Sequence, residues 1–348
     1  MCKLHRSALL FIIPMFFSQN ATAHVKWFVD TKSLSIGNSE GYGIFDLAVI
    51  VWLCIACFII GAAVICDIKL PNYVFSHPKV RRFIIDLLSF CCGLSLLVTA
   101  IDGAIIAPHY IAYGGLSYSL LLLQVVVGVL LVINRYVLQA AILLIFLYAG
   151  LIAAYGLSEG VEYINYIGIA LFLLCCNFPR GKVTRCFQPT GIALLRIFTG
   201  AALIALGVSE KLLGAKYAQA FIETYDWNFM ANLGVEFFSD SLFVLSAGVM
   251  EVVFGIILIL GVVTRINILV VAVFMFASNI TFVIQSNQQA AVMELIGHLP
   301  IIASALVLLL FGNKQALNIF SLLDLLVPCS ATLKKQPKSA VPTAEYLS

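Results

Sequence analysis

The chain has 348 residues, of which 62% are hydrophobic and 11% charged, against roughly 45–50% and about 25% in soluble domains. With a mean hydropathy of +1.06, this excludes a soluble globular enzyme, a disordered protein and a nucleic-acid binder. The net charge of +3 says little as a sum; where the charges fall says more.

Lys3, His5 and Arg6 form a basic start, followed by a short apolar stretch over 7–17 and by Ala21-Thr22-Ala23. That order predicts a signal peptide over 1–23, with a mature chain starting at His24 outside the cytoplasm. An uncleaved first helix is the alternative. Nine apolar runs follow, at 44–66, 83–106, 115–133, 137–156, 161–178, 190–206, 241–262, 266–284 and 292–312. Each is near the ~20 residues that a helix needs to cross hydrocarbon. Unbroken runs exclude barrel strands, which alternate. The expected fold class is an all-α polytopic membrane protein of about nine helices.

Charge sets the expected orientation. With the N-terminus out, the inward connections and the tail hold Lys69, Lys79, Arg81, Arg82, Arg135, Arg180, Lys182, Arg185, Arg265, Lys314, Lys334, Lys335 and Lys338. The outer segments hold only Lys26, Lys32, Lys211 and Lys216. An excess of Lys and Arg inside is the membrane rule. It predicts N-terminus out, C-terminus in, and a bacterial-type cytoplasmic (inner) membrane location. No outer loop carries a cysteine, so a structural disulfide is not expected. Cys54-Ile55-Ala56-Cys57 lacks the strand–helix context of a redox motif and reads as small side chains on a helix.

The chain contains what reads as its own copy. Leu87-Leu88-Ser89-Phe90-Cys91-Cys92-Gly93 parallels Leu194-Leu195-Arg196-Ile197-Phe198-Thr199-Gly200, and Gln124-Val125-Val126-Val127-Gly128 parallels Glu251-Val252-Val253-Phe254-Gly255. The expected organisation is a 24–82 segment with an outer part, one helix and a basic inner loop, then four-helix units at 83–178 and 190–312 and an amphipathic tail over 313–348. Arg196 and Glu251 stand where the first unit has Ser89 and Gln124. Both charges are gained together, which predicts an intramembrane ion pair, because a lone buried charge is costly.

The second unit resembles the DoxX family of four-helix membrane proteins. The resemblance rests on Leu195-Arg196 with Gly200, on Gly207 followed by Glu210-Lys211, on Glu251-x-x-x-Gly255 and on Leu260-Gly261-Val262-Val263-Thr264-Arg265. It covers roughly a third of the chain, and the first unit would be a degenerate relative. Members of that family are associated with membrane redox systems, including small subunits of thiosulfate:quinone oxidoreductases. The resemblance therefore implies a non-catalytic or quinone-linked subunit, partnered by a membrane or periplasmic oxidoreductase, in the lipid bilayer. The long outer segment 214–240 departs from the family pattern.

Polar groups gather at the outer ends of the second unit. Glu210 and Lys211 close the sixth run, and Glu294 and His298 share a helix face at i, i+4. An apolar slot with a few polar groups suits a quinone, and His exchanges protons near neutral pH. Phe221, Tyr225, Trp227, Phe229, Phe237 and Phe238 between the sixth and seventh runs read as an interfacial belt or as a lid over that slot. Two other readings stand beside it: a small-solute or proton-coupled transporter, which repeated halves would suit, and periplasmic copper handling by His24, His109 and His298. No spaced metal motif supports the last.

Overall fold

The computed structural model describes residues 41–70, 77–177, 182–312 and 317–319. The signal-peptide segment, His24 and the tail beyond residue 319 lie outside them. Among the described residues the chain is helical, with a single isolated bridge between Ala104 and Ile111. The helices are α1 (Leu47–Lys69), α2 (Pro78–Ile101), α3 (Gly114–Val132), α4 (Val137–Tyr155), α5 (Leu157–Glu162), α6 (Asn165–Asn177), α7 (Lys182–Leu206), α8 (Ala215–Tyr225), α9 (Phe229–Asn232), α10 (Asp240–Leu260), α11 (Thr264–Ile284) and α12 (Gln288–Phe311). A wider π-type turn, Gly207–Leu212, continues α7.

Eight helices among the described residues are long and apolar enough to cross a membrane. The fifth expected span behaves differently. It divides into α5 and the 13-residue α6, which at 1.5 Å per residue covers only ~20 Å of a ~30 Å core. The break leaves the carboxylate of Glu162 accepting from Ser209 Oγ at 2.7 Å and buries Tyr163 and Asn165. Polar groups at this depth are tolerated where protein, not lipid, surrounds them.

Close packing of small residues organises both bundles, α2–α6 and α7–α12. Lipid tails are as apolar as leucine, so backbone approach matters more here than removal of apolar surface from water. A Cβ on Gly93 would fall 2.7 Å from the Gly128 carbonyl oxygen and 2.8 Å from Leu131 Cβ. A Cβ on Gly200 would fall 2.6 Å from the Gly255 oxygen and 3.0 Å from Leu258 Cβ. Gly128 and Gly255, and Leu131 and Leu258, are each 127 residues apart. The next turn repeats at the same interval: Asn134 and Tyr136 have φ of 54° and 56°, Gly261 and Val263 have 73° and 38°. The same contact and the same left-handed turn therefore occur twice.

In the first bundle α2 packs on α3, α3 on α4 and α4 on α6. α6 lies along α7 and α12 along α2, which joins the bundles. In the second bundle α7 packs on α10 and α11 on α12, yet α10 and α11 touch only slightly although consecutive. Asn267 ties the start of α11 to the Phe254 oxygen at 2.9 Å, and Asn279 ties its later part to the Ala291 oxygen of α12 at 3.0 Å. Phe254 and Phe274 meet across the two helices at 6.1 Å between ring centroids, and beyond that contact α10 and α11 are only loosely packed.

α1 packs along α10 with Ala56 and Ala63 inward. At its C-terminal end Asp67 is buried and accepts the Val263 N–H at 2.7 Å. That bond offsets an unusual backbone, since a β-branched residue at positive φ is strained.

A cavity in the second bundle with five ionisable side chains

The expected Arg196–Glu251 pair does not form. Arg196 Nη2 donates to the Leu317 oxygen at 2.9 Å, and the guanidinium interacts electrostatically with Asp67. It fills the space that the missing side chain of Gly261 leaves. Glu251 pairs instead with Lys211, whose Nζ lies 2.9 Å from Oε1 and 3.0 Å from Oε2. Register explains the exchange. The Gly200–Gly255 contact sets α7 against α10, so Arg196 lies level with Gly261 and Glu251 level with Gly207. Ten residues from Gly261 to Glu251 amount to ~15 Å along a helix, beyond the reach of an arginine side chain.

The π-type turn makes the Lys211–Glu251 pair. A Cβ on Gly207 would lie 2.9 Å from the Gly248 oxygen, and a Cβ on Gly248 would lie 2.9 Å from Lys211 Cβ. Two glycines let the turn press on α10. Glu210 and Lys211, adjacent in sequence, are then both turned inward, with Nζ 4.0 Å from Glu210 Oε2 and side-chain exposures of 4% and 18%. Single π-type turns inside helices frequently occur at functional sites.

On α12, His298 Nδ1 lies 2.8 Å from the Glu294 backbone oxygen and 3.5 Å from its Oε1. A carbonyl oxygen only accepts, so Nδ1 carries a proton, and whenever the ring is neutral Nε2 is the acceptor. The structure thus brings Glu210, Lys211, Glu294 and His298 to one place and adds Glu251, which the sequence assigned to Arg196.

All five line a cavity of ≈ 630 Å³. Apart from Ser246 and Thr281 the rest of its wall is mainly apolar: Trp52 and Ile59 of α1, Leu203 and Leu206 of α7, Met250 and Phe254 of α10, Val271, Phe274 and Met275 of α11. Phe221, Trp227, Phe229, Phe238 and Phe243 cover one end. Their rings touch, Phe221–Trp227 at 5.7 Å, Trp227–Phe243 at 6.3 Å and Phe229–Phe243 at 5.0 Å between centroids. Phe237 stands apart, 79% exposed, and Tyr225 packs on Phe282 at 5.6 Å. An engineered cavity of about 150 Å³ holds a benzene ring, so this one has room for a ring and part of a chain.

His109 is not among the residues lining the cavity. It stacks against Tyr110 at 3.7 Å between centroids, in the loop between α2 and α3. Tyr110 donates to Glu159 Oε2 at 3.0 Å. Burial and the neighbouring carboxylates hold its phenol well above the usual range, so it stays a donor. Among the described residues no group of three or more His, Cys, Asp or Glu side chains is arranged to hold a metal.

Sequence reasoning missed Asp67, although an acid in the last turn of an otherwise apolar helix was a signal for an internal partner. It also missed Ser209 as the donor to Glu162, because that contact depends on the break between α5 and α6.

The helices and their composition define a multi-pass, all-α membrane protein. Residues 191–284, in the C-terminal part of the chain, match the family model DoxX. The matched stretch spans the membrane part of α7, the π-type turn with Glu210 and Lys211, α8 to α10 with Glu251, and α11. No curated protein and no solved structure matches the chain significantly.

Proposed function

We propose that this protein is a membrane-embedded subunit of a quinone-linked envelope redox system, and that its DoxX unit holds the quinone. One observation carries the reading: an aromatic, apolar cavity of ≈ 630 Å³ with a cation and a histidine among a few carboxylates. Binding sites for organic cofactors have this make-up at about 300–1,000 Å³. A quinone supplies two-electron, two-proton redox chemistry when bound. Lys211 would donate to one ring oxygen, held in position by Glu251 and Glu210. His298 would hold or release a proton at Nε2, with Glu294 fixing the ring through Nδ1. The aromatic cover keeps water from that end. On the same reading, 83–178 and 190–312 are two copies of one unit, set with the N-terminus outside a bacterial-type inner membrane, and the electron donor is a partner oxidoreductase.

The test is to purify the full chain in mild detergent and quantify extracted quinone. Roughly one quinone per chain is expected, lost in Lys211→Met and reduced in His298→Ala. A preparation that retains none and takes up none from quinone-doped vesicles overturns the reading.

A further inference from the structure

We propose that the cavity is entered sideways, from the hydrocarbon of the bilayer, through the loosely packed seam between α10 and α11 beside α1. Its ligand is therefore a lipid with a polar ring and an apolar tail that trails out through that seam. The inference rests on the quinone reading for the ring and on separate observations for the route.

The first observation is where the cavity meets the surface. Ile55, Phe274 and Ala277 line it and are at the same time exposed, Ile55 by 37% and Phe274 by 49%. All three are apolar. Phe274 lies ten residues from either end of α11, which is ~15 Å from each. A mouth at that height opens onto lipid, where a charged solute pays several kcal/mol to arrive. The second observation is the cover at the far end, where four aromatic rings in mutual contact close the route past α8 and α9.

The third observation is the first bundle, which carries the same helices without the opening. Leu120 of α3 is buried there and occupies the space over Gly150 of α4. The residues 127 further on are Ala247 and Ala277, and both line the cavity. Leu144 and Leu147 are wholly buried, whereas Val271 and Phe274, at the same interval, line the cavity. Leucine in place of alanine separates a packed seam from an open one.

The experiment uses Trp227 as reporter, with Trp27→Phe and Trp52→Phe removing the other tryptophans, in the full chain reconstituted in phosphatidylcholine vesicles. Two quinones are compared, one with an isoprenoid tail dissolved in the bilayer and one sulfonated and tail-less in the water. The tailed quinone should quench Trp227 saturably and the sulfonated one should not. Ala277→Phe should slow the quenching about tenfold, the scale on which a restricted approach lowers an association rate. Ala247→Leu should act as the second plug from the opposite wall. Equal quenching by the sulfonated quinone, or unaltered rates in both plugged variants, overturns the sideways route. If neither quinone quenches the unplugged protein, the quinone reading fails. Lipids with a nitroxide at mid-chain then decide the route alone: quenching of Trp227 that Ala277→Phe weakens supports it, and quenching unaffected by both plugs overturns it.

Discussion

In the first bundle Gln124 sits in the middle of α3, accepts from the Ile106 N–H and has its two amide hydrogens within reach of the oxygens of Leu96, Thr99 and Ala104. In the second bundle Glu251 stands 127 residues on and takes one cation, Lys211. Each side chain holds a similar joint, where α2 ends in the first bundle and where α7 runs into the π-type turn in the second. The neutral version is wholly satisfied by its own chain and lies in a packed interior. The charged version keeps its pair 18% and 29% exposed, toward a cavity. The first bundle is closed at this point, and the second is open and charged. The opening comes with a side chain cut back on α10, where Ala247 stands in place of Leu120, while the glycine contacts that fix the register are unchanged.

The sharpest way to break this comparison is Gln124→Glu. It places a carboxylate among three acceptor oxygens in a site with no exposure and no lysine, and an uncompensated buried charge costs about 3–5 kcal/mol. Loss of folded protein in a detergent-denaturation titration should show it. Adding Ala104→Lys, which supplies the cation in the place equivalent to Lys211, should recover part of the loss. No recovery would show that the two joints are not equivalent. Next in size, Gly93→Ala and Gly200→Ala should each cost about 1–3 kcal/mol by overpacking. Both meet a carbonyl oxygen at the same place, so the two thermal shifts should agree; a large difference would mean that the bundles are not held alike.

Charge pairing gives a smaller effect. Lys211→Met should cost about 1–3 kcal/mol, less than a fully buried pair because the cavity admits some screening. Glu251→Gln on top of it should restore stability. Arg196→Ser combined with Glu251→Gln should instead add to within about 0.5 kcal/mol, as independent sites do. A strong coupling between those two, with none to Lys211, would return Glu251 to Arg196.

The sequence made the helices legible, because nine apolar runs leave few other solutions in lipid, and it marked Gly93, Gly128, Gly200 and Gly255, which form the two similar helix contacts. It also marked Glu210, Lys211, Glu294 and His298 as one polar group. The partner of Arg196 was not legible. Two charges gained together suggested a pair, but which charges meet depends on register, and the glycine pairs that set it act through the backbone. Reading Gly200 against Gly255 first would have placed Glu251 near Gly207 and left Arg196 to find Asp67. The break between α5 and α6 was hidden for a different reason: hydropathy averages over a run and does not register a buried tyrosine and asparagine that leave the helix axis.

The smallest effect on stability belongs to the change with the largest expected effect on binding. Ala247→Leu gives α10 the residue that α3 has at Leu120. Filling an apolar space commonly adds 0.5–2 kcal/mol, and here the gain should lie near the low end, because Ala277 leaves less depth than Gly150 does. The melting temperature should therefore rise slightly while quinone retention falls to background. The two readouts move in opposite directions, which separates a site from a packing defect. Were the cavity only loosely packed core, the leucine would stabilise the bundle and leave any bound quinone undisturbed elsewhere. Were the alanine needed for folding, both would fall together. Only an open seam kept at some cost in packing, with a ligand in it, gives a protein that is more stable and empty.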